Sequence, residues 1–182
     1  RDAVAPWIEN PPLPQWLTVA MCTIAGTCSQ AWVSRLTAGI SGTLAVLLVT
    51  LMAARLFGTG IGMLSGLTMA TSYEVVRYAT LAEDEIFLTL TSAAAMTCFV
   101  FAEFKASRTG GEQSTPTQRS TPRAWGYRSW WVVAFFIATG LTNLTKGVGF
   151  GPMMVFVPVT CFIALSWDLT RFRRYLWAWG MV

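Results

Sequence analysis

Long apolar runs alternate with short polar stretches along the chain, and the lengths of these runs indicate helices that cross a membrane. A spanning helix needs about 20 mainly apolar residues. Four runs meet this length, at about 36–57, 60–79, 86–104 and 149–167. We therefore predict an all-α, multi-pass transmembrane helical bundle.

The remaining segments are less regular. A fifth span at about 129–146 is shorter and rich in aromatic residues, and a further apolar run begins near Tyr175. The segment 14–34 is apolar but interrupted by "GTCSQ", so it either spans the membrane or lies along the interface as one or two short helices. Residues 106–128 are rich in Ser, Thr, Gly and Pro, which predicts a flexible linker within the bundle.

Composition agrees with this pattern. The chain is 54% hydrophobic and only 12% charged, about half the charged fraction of a soluble domain. Its net charge is +4, but the basic residues cluster in a few loops, which favours membrane topology over nucleic-acid binding. The chain starts at Arg1 and stops within an apolar run, so we expect residues 1–182 to be a partial transmembrane domain of a longer protein.

Two residue types limit the chemistry. The sequence has no histidine, which excludes His-based metal sites, Ser-His-Asp triads and Cys-His dyads built from this chain alone. The four cysteines stand in apolar surroundings without metal-ligand spacing, so we expect them to be reduced packing residues. They are Cys22, Cys28, Cys98 and Cys161.

The distribution of Lys and Arg predicts the topology. The 106–128 linker and the basic cluster at 171–174 face the cytoplasm by the positive-inside rule. If 14–34 stays at the interface, counting helices back from the linker puts nine basic residues inside. The other four are outside: Arg1, Arg35, Arg77 and Lys146. Most acids also fall outside: Asp2, Glu9, Glu74, Glu83, Asp84 and Glu85.

The stretch "YATLAEDEIF" at 78–87 carries three consecutive acids between two apolar runs. Glu74, Arg77 and Tyr78 precede it at helical spacing, in the last turns of the predicted 60–79 helix. The acids fit a solvated loop that caps the next helix, because a helix N-terminus favours negative charge. They also fit a functional carboxylate that binds a metal, a phosphate-linked cation or an acceptor group.

Two other motifs fall on the same predicted face. "IENPPLPQWL" holds Glu9 and Asn10 on a proline-stiffened loop, which either simply enters a helix or presents both residues to a site. "LTNLTKGVGFGP" places Lys146 before three glycines, where it either extends to the interface or meets a phosphate. The order of Gly and Lys is not that of a Walker loop.

Small residues recur at every fourth position between 58 and 70, namely Gly58, Gly62, Gly66 and Ala70. Such a stripe lets membrane helices approach closely. We interpret it as a packing surface without chemistry. The "GTGIG" within it follows no strand, which argues against a dinucleotide site.

Four motifs in order carry a family resemblance: "PPLPQWL", "SRLTAGISGTLAVLLVTLMAARLFG", "YATLAEDEIFLTL" and "GLTNLTKGVGFGPMMVFVPV". Together they resemble the dolichyl-phosphate-mannose protein mannosyltransferase-like family, glycosyltransferase family 39-like, and most closely its lipid A aminoarabinose transferase branch. The resemblance covers almost the whole chain apart from the linker. It implies a type-C glycosyltransferase fold whose active site faces the non-cytoplasmic side.

The resemblance also implies site residues. Glu9 matches the acid before the family's "KPPL", and Asn10 stands where that pattern has a Lys expected to contact the donor phosphate. Glu85 matches the Asp of "ARLAxxDM", with Asp84 beside it, and Lys146 matches the Lys of "LTKG". The acidic pair that would include the acceptor-activating base is expected upstream of Arg1.

The resemblance implies an enzyme of the cell (inner) membrane. It would move a hexosyl or pentosyl group from a polyprenyl-phosphate donor to a lipid A-like glycolipid, an envelope glycan or a protein. Glu85, Asp84 and Glu9 are the candidate catalytic residues, and Lys146, Arg77 and Asn10 the candidate donor-phosphate residues. A divalent metal ion is the one candidate cofactor, because carboxylates suit hard cations, but its ligands are unknown.

Two rival functions stay open. A transporter or flippase of a lipid-linked substrate is the first, although such proteins place charges near the membrane midplane and within internal repeats. A non-catalytic membrane scaffold is the second. We expect the 182-residue chain by itself to be inactive.

Overall fold

A computed structural model describes residues 12–27, 31–104, 124–147 and 150–166, and they form a bundle of α-helices. Seven helices follow in chain order: α1 (Pro12–Ala25), α2 (Ala31–Phe57), α3 (Thr59–Ala70), α4 (Tyr73–Leu81), α5 (Asp84–Glu103), α6 (Ala124–Lys146) and α7 (Phe150–Ser166). The described residues contain no strand, as the all-α prediction requires.

Two helices of the described chain are long and apolar enough to cross a membrane, α2 and α5. They correspond to the predicted spans 36–57 and 86–104. A shorter apolar helix covers Gly151–Leu165 and matches the predicted 149–167 run. α6 begins at Ala124, a turn earlier than predicted, so the last residues of the predicted linker are helical.

The two long helices run parallel. At one end, the Arg55 guanidinium donates to the Phe104 carbonyl at 3.3 Å and lies 4.6 Å from the centroid of the Phe101 ring. Near the other end, a Cβ added at Gly42 of α2 would contact Ile86 of α5 at 3.3 Å. α2 and α5 therefore enter the bilayer from the same side, as counting Lys and Arg predicts.

The chain returns from α2 to α5 in two helices, so the prediction of one continuous span at 60–79 is wrong. α3 ends at Ala70, and α4 starts at Tyr73 behind the N-cap residue Ser72, whose backbone is extended at φ −63° and ψ 129°. The Thr71 hydroxyl bonds back to the carbonyls of Leu67 and Thr68. Hydroxyl side chains that compete with the backbone in this way favour helix ends.

The predicted small-residue stripe packs at its two central positions, whereas Ala70 is exposed and a Cβ at Gly58 would meet nothing within 4 Å. Gly62 and Gly66 are buried on α3. A Cβ at Gly62 would lie 2.5 Å from the Cβ of Ala54, and one at Gly66 would lie 2.0 Å from Thr50 Oγ1. Since only hydrogen fits at these positions, α3 packs directly on the backbone of α2.

α6 packs antiparallel to both α5 and α7. The Phe99 ring lies 5.9 Å from that of Phe135 and 5.7 Å from that of Phe162, between ring centroids. These rings belong to the larger core cluster, which includes Val155 and Val159. A second cluster of Ala38, Ile86 and Phe87 packs against Leu17 and Tyr78 and so joins α1, α2, α4 and α5.

Buried threonines on α6 satisfy their hydroxyls within the helix. Thr139, Thr142 and Thr145 are fully buried, and each donates to a carbonyl three or four residues earlier on α6. Their methyl groups are therefore what the neighbouring helices contact.

The cysteines differ from expectation at one position. Cys22 of α1 is disulfide-bonded, so the prediction that all four are reduced is wrong there. Cys98 and Cys161 are free, and Cys28 lies outside the described residues. Disulfides persist on the oxidising side of a membrane, whereas apolar surroundings alone do not reveal a cysteine's redox state.

Candidate functional site

A tight turn carries the acidic candidates. α4 ends at Leu81, and its C-cap residue Ala82 adopts the left-handed conformation with φ 55° and ψ 42°. Glu83 is the N-cap residue of α5, and Asp84 and Glu85 occupy its first turn. The partial positive charge of a helix N-terminus favours carboxylates there, which explains why three acids stand at this point.

The basic candidate ends the neighbouring helix. Lys146 is in the last turn of α6, where the helix dipole favours a cation. Gly147, with φ +86°, stops the helix, and its N–H donates to the Asn143 carbonyl at 2.9 Å. A Cβ at Gly151 would lie 2.2 Å from the Thr142 carbonyl oxygen, so this glycine lets α7 start directly against α6.

These two helix ends meet in an ion pair. Lys146 Nζ donates to Glu85 Oε1, and each side chain is 36% exposed. The contact joins residues 61 positions apart. A pair this accessible contributes about 0–1 kcal/mol to stability. The ion pair therefore matters for chemistry more than for stability, because its carboxylate and its ammonium group are both accessible to water and ligands.

The predicted residues divide into three groups. Glu85 and Lys146 are in direct contact, and Asp84 is partly buried beside Glu85. Arg77 is on α4, with its guanidinium carbon 5.8 Å from the centroid of the Tyr78 ring. Glu9 and Asn10 lie outside the described residues.

Tyr78 extends the site toward α4. Its ring packs against the Ala38, Ile86 and Phe87 cluster. Hydrogen bonding to the Glu74 carboxylate, and the charge of that carboxylate, raise the pKa of Tyr78; the negative charge of Glu85 acts in the same direction. Glu74 is in the first turn of α4, rather than in the last turns of a longer helix as predicted.

Sequence reasoning passed over two polar residues near the pair. Asn143 lies three residues before Lys146, and Ser92 lies seven residues after Glu85. Asn143 Oδ1 and Ser92 Oγ are buried and have no hydrogen-bond partner among the described residues. Both residues could have been singled out from the sequence, because each is a polar side chain within an apolar run and lies at helical spacing from a charged residue.

A metal site does not follow from this geometry. Within the described part of the chain, no three His, Cys, Asp or Glu side chains come together as a ligand set. Asp84 and Glu85 are the described acids that interact electrostatically with Lys146, and two carboxylates are fewer ligands than Ca²⁺ or Mg²⁺ takes. The divalent metal ion therefore stays a prediction.

The described helices form a bundle in which charged helix ends meet at one side. The chain matches the crystal structure of ArnT from Cupriavidus metallidurans in the apo state with a TM-score of 0.72 and 22% sequence identity. The match covers 95% of this chain and 29% of the ArnT chain, so the chain spans less than a third of that protein. At this level of identity the likeness establishes the fold, which is the helical membrane fold of type-C glycosyltransferases.

The sequence establishes the family. The profile of the dolichyl-phosphate-mannose-protein mannosyltransferase family matches residues 9–110, more than half of the chain. The chain therefore belongs to this family, as the four motifs predict. A search of curated proteins found no match.

Proposed function

We propose that the full-length protein is a glycosyltransferase of the cell (inner) membrane that uses a polyprenyl-phosphate sugar as donor. The acceptor is a lipid A-like glycolipid, an envelope glycan or a protein. The observation that carries this proposal is the contact between Glu85 and Lys146 at the meeting ends of α5 and α6. Family membership supports the reaction class, and the ion pair supplies the groups that the reaction needs.

Glycosyl transfer makes two demands on such a site. The acceptor oxygen attacks the anomeric carbon as the bond from that carbon to the phosphate oxygen breaks, and the acceptor proton passes to a base. The leaving lipid phosphate gains negative charge, which a fixed cation stabilises. Lys146 is suited to this role because its ammonium is accessible and stands at the end of a helix.

Glu85 holds Lys146 until the donor arrives. The donor phosphate is a diester with one negative charge, like the Glu85 carboxylate, and it competes for the same ammonium group. Its attraction for Lys146 grows as the bond to the sugar breaks, because the leaving phosphate monoester gains a second negative charge. When Lys146 turns to the phosphate, Glu85 loses its partner and is free to orient the acceptor hydroxyl. Glu85 thus acts within the pocket, while Arg77 offers a second cation on the neighbouring α4.

We place this site on the non-cytoplasmic face. Nine of the 13 Lys and Arg residues fall on the opposite side under the predicted topology. The disulfide at Cys22 supports the same orientation, because Leu17 of α1 packs near the start of α5 and disulfides persist on the oxidising side.

The test measures transfer by the full-length protein in membranes supplied with labelled polyprenyl-phosphate sugar. Lys146→Met and Glu85→Gln keep side-chain size and remove one charge each, and both should lower transfer at least a hundredfold. Arg35→Met is the matched control, since Arg35 is an exposed cation near the start of α2 and is not one of the candidate site residues. Full transfer by both site variants would refute the proposal. Movement of the lipid across the bilayer without sugar transfer would favour a flippase instead.

A further inference from the structure

Two buried polar atoms lie deeper in the bundle than the ion pair. Asn143 Oδ1 on α6 and Ser92 Oγ on α5 find no hydrogen-bond partner among the described residues. An unpaired buried donor or acceptor costs about 1–3 kcal/mol, so buried polar groups are normally satisfied. Two such atoms on packed helices near one site point to an external partner.

Helical geometry places both residues below the ion pair. Asn143 is three residues from Lys146 and shares its face of α6, about 4.5 Å further along the helix axis. Ser92 is seven residues from Glu85, two turns along the same face of α5 and about 10 Å away along the axis. Since α5 and α6 are antiparallel, both residues lie on the bundle side of the Glu85–Lys146 contact.

Neighbouring hydroxyls do not share this property. Thr89, between Glu85 and Ser92, donates to the Glu85 carbonyl at 2.8 Å. Thr139, one turn beyond Asn143, donates to the Phe135 carbonyl at 2.8 Å. Asn143 Oδ1 and Ser92 Oγ therefore differ from these two hydroxyls on the same helices.

We infer that Asn143 and Ser92 bind hydroxyl or amino groups of the donor's sugar and so determine which sugar is transferred. This inference rests on the proposed function, in which Lys146 holds the donor phosphate. The sugar is attached directly to that phosphate, so its ring lies within reach of a side chain one helical turn from Lys146. A sugar hydroxyl donates to Asn143 Oδ1, and the Ser92 hydroxyl donates to or accepts from a second ring substituent.

A binding role for Asn143 predicts that removing its polar group does not destabilise the protein. If Asn143 were a structural residue, its replacement by an apolar side chain of similar size would destabilise the protein. Since its buried oxygen is unpaired in the free protein, Asn143→Leu should instead leave the thermal midpoint unchanged or raise it. Loss of sugar recognition without loss of stability is therefore the expected signature.

The experiment measures binding to the full-length protein in detergent. The probes are undecaprenyl phosphate alone and undecaprenyl phosphate linked to mannose or to arabinose. Sugar preference is the ratio of the Kd for the bare lipid to the Kd for the better sugar-linked lipid. Asn143→Leu should lower this preference about tenfold, and Ser92→Ala should lower it several-fold.

Two controls separate the inference from the proposed function. Thr139→Val removes a paired hydroxyl on the same helix and should leave the preference unchanged. Lys146→Met should weaken bare and sugar-linked lipids alike and leave their ratio unchanged. If the Asn143→Leu and Ser92→Ala variants keep the full sugar preference, with or without a lowered thermal midpoint, the inference is wrong and the proposed function still stands. A wild-type protein that binds none of the lipids would overturn the proposed function as well.

Discussion

The contact between α2 and α3 predicts the outcome of two alanine substitutions. Gly62→Ala would put a methyl carbon 2.5 Å from the Cβ of Ala54 and 2.7 Å from both its Cα and its backbone nitrogen. Ordinary contact needs at least 3.4 Å, so α3 must move away from α2 by nearly 1 Å. Backbone atoms cannot change rotamer, and we expect a loss of about 1–3 kcal/mol of stability.

Gly66→Ala clashes with a side chain rather than with backbone, so a second substitution can relieve the clash. Its methyl carbon would meet Thr50 Oγ1 at 2.0 Å, whereas Thr50 Cβ is 3.2 Å away. Adding Thr50→Ala removes the clashing oxygen and should restore most of the stability. Adding Ala54→Gly to Gly62→Ala should restore only part, because the Ala54 backbone still stands at 2.7 Å.

Thermal unfolding in detergent measures all four variants, with Gly60→Ala as the control. A Cβ at Gly60 would meet nothing within 4 Å, so this change should be neutral or slightly stabilising. Equal effects of Gly60→Ala and Gly62→Ala, or complete rescue by Ala54→Gly, would show that α3 does not pack on the backbone of α2.

Three further outcomes are expected. In a double-mutant cycle, Glu85→Gln and Lys146→Met should couple by at most about 1 kcal/mol in stability, because both side chains are 36% exposed; a coupling of several kcal/mol would mean a structural, desolvated pair. Ala82→Gly should raise stability by up to about 1 kcal/mol in thermal unfolding, because Ala82 holds φ 55°; a destabilised variant would contradict the left-handed turn. Tyr78 should ionise above its usual pH range, so its contribution to stability, present at lower pH, declines as pH rises through that raised pKa. Glu74→Gln should lower the pH midpoint at which Tyr78 ionises. Ultraviolet absorbance measures this midpoint, and the same titration of Tyr78→Phe is subtracted to isolate Tyr78. An unchanged midpoint would exclude Glu74 as the cause.

The predictable parts of the fold follow from local pattern. Apolar runs indicate α2 and α5, and four-residue spacing indicates the glycine stripe, because each depends only on residues within one helix. The hydropathy pattern does not reveal the break at Thr71 and Ser72, since isolated Thr and Ser are common within membrane helices. The helix ends here because the Thr71 hydroxyl bonds back to α3 and Ser72 is the N-cap residue of α4.

The predictable parts of the site follow from topology. Counting Lys and Arg brings Glu85 and Lys146 to one end of the bundle, and their contact confirms this juxtaposition. Spacing from a charged residue could mark Asn143 and Ser92 only as candidates, because whether a buried polar atom finds a hydrogen-bond partner depends on the register between α5 and α6. No sequence pattern specifies that register to within one turn.

The threonines of α6 have a consequence for membrane insertion. Hydropathy scales score each side chain as if its polar atoms faced the surroundings, yet Thr139, Thr142 and Thr145 return their hydroxyls to carbonyls of their own helix. To lipid or to a translocation channel, such a residue resembles valine. The segment that ends at Lys146 should therefore partition into the bilayer more readily than its hydropathy score indicates. As this segment crosses the membrane, Lys146 would reach the non-cytoplasmic side.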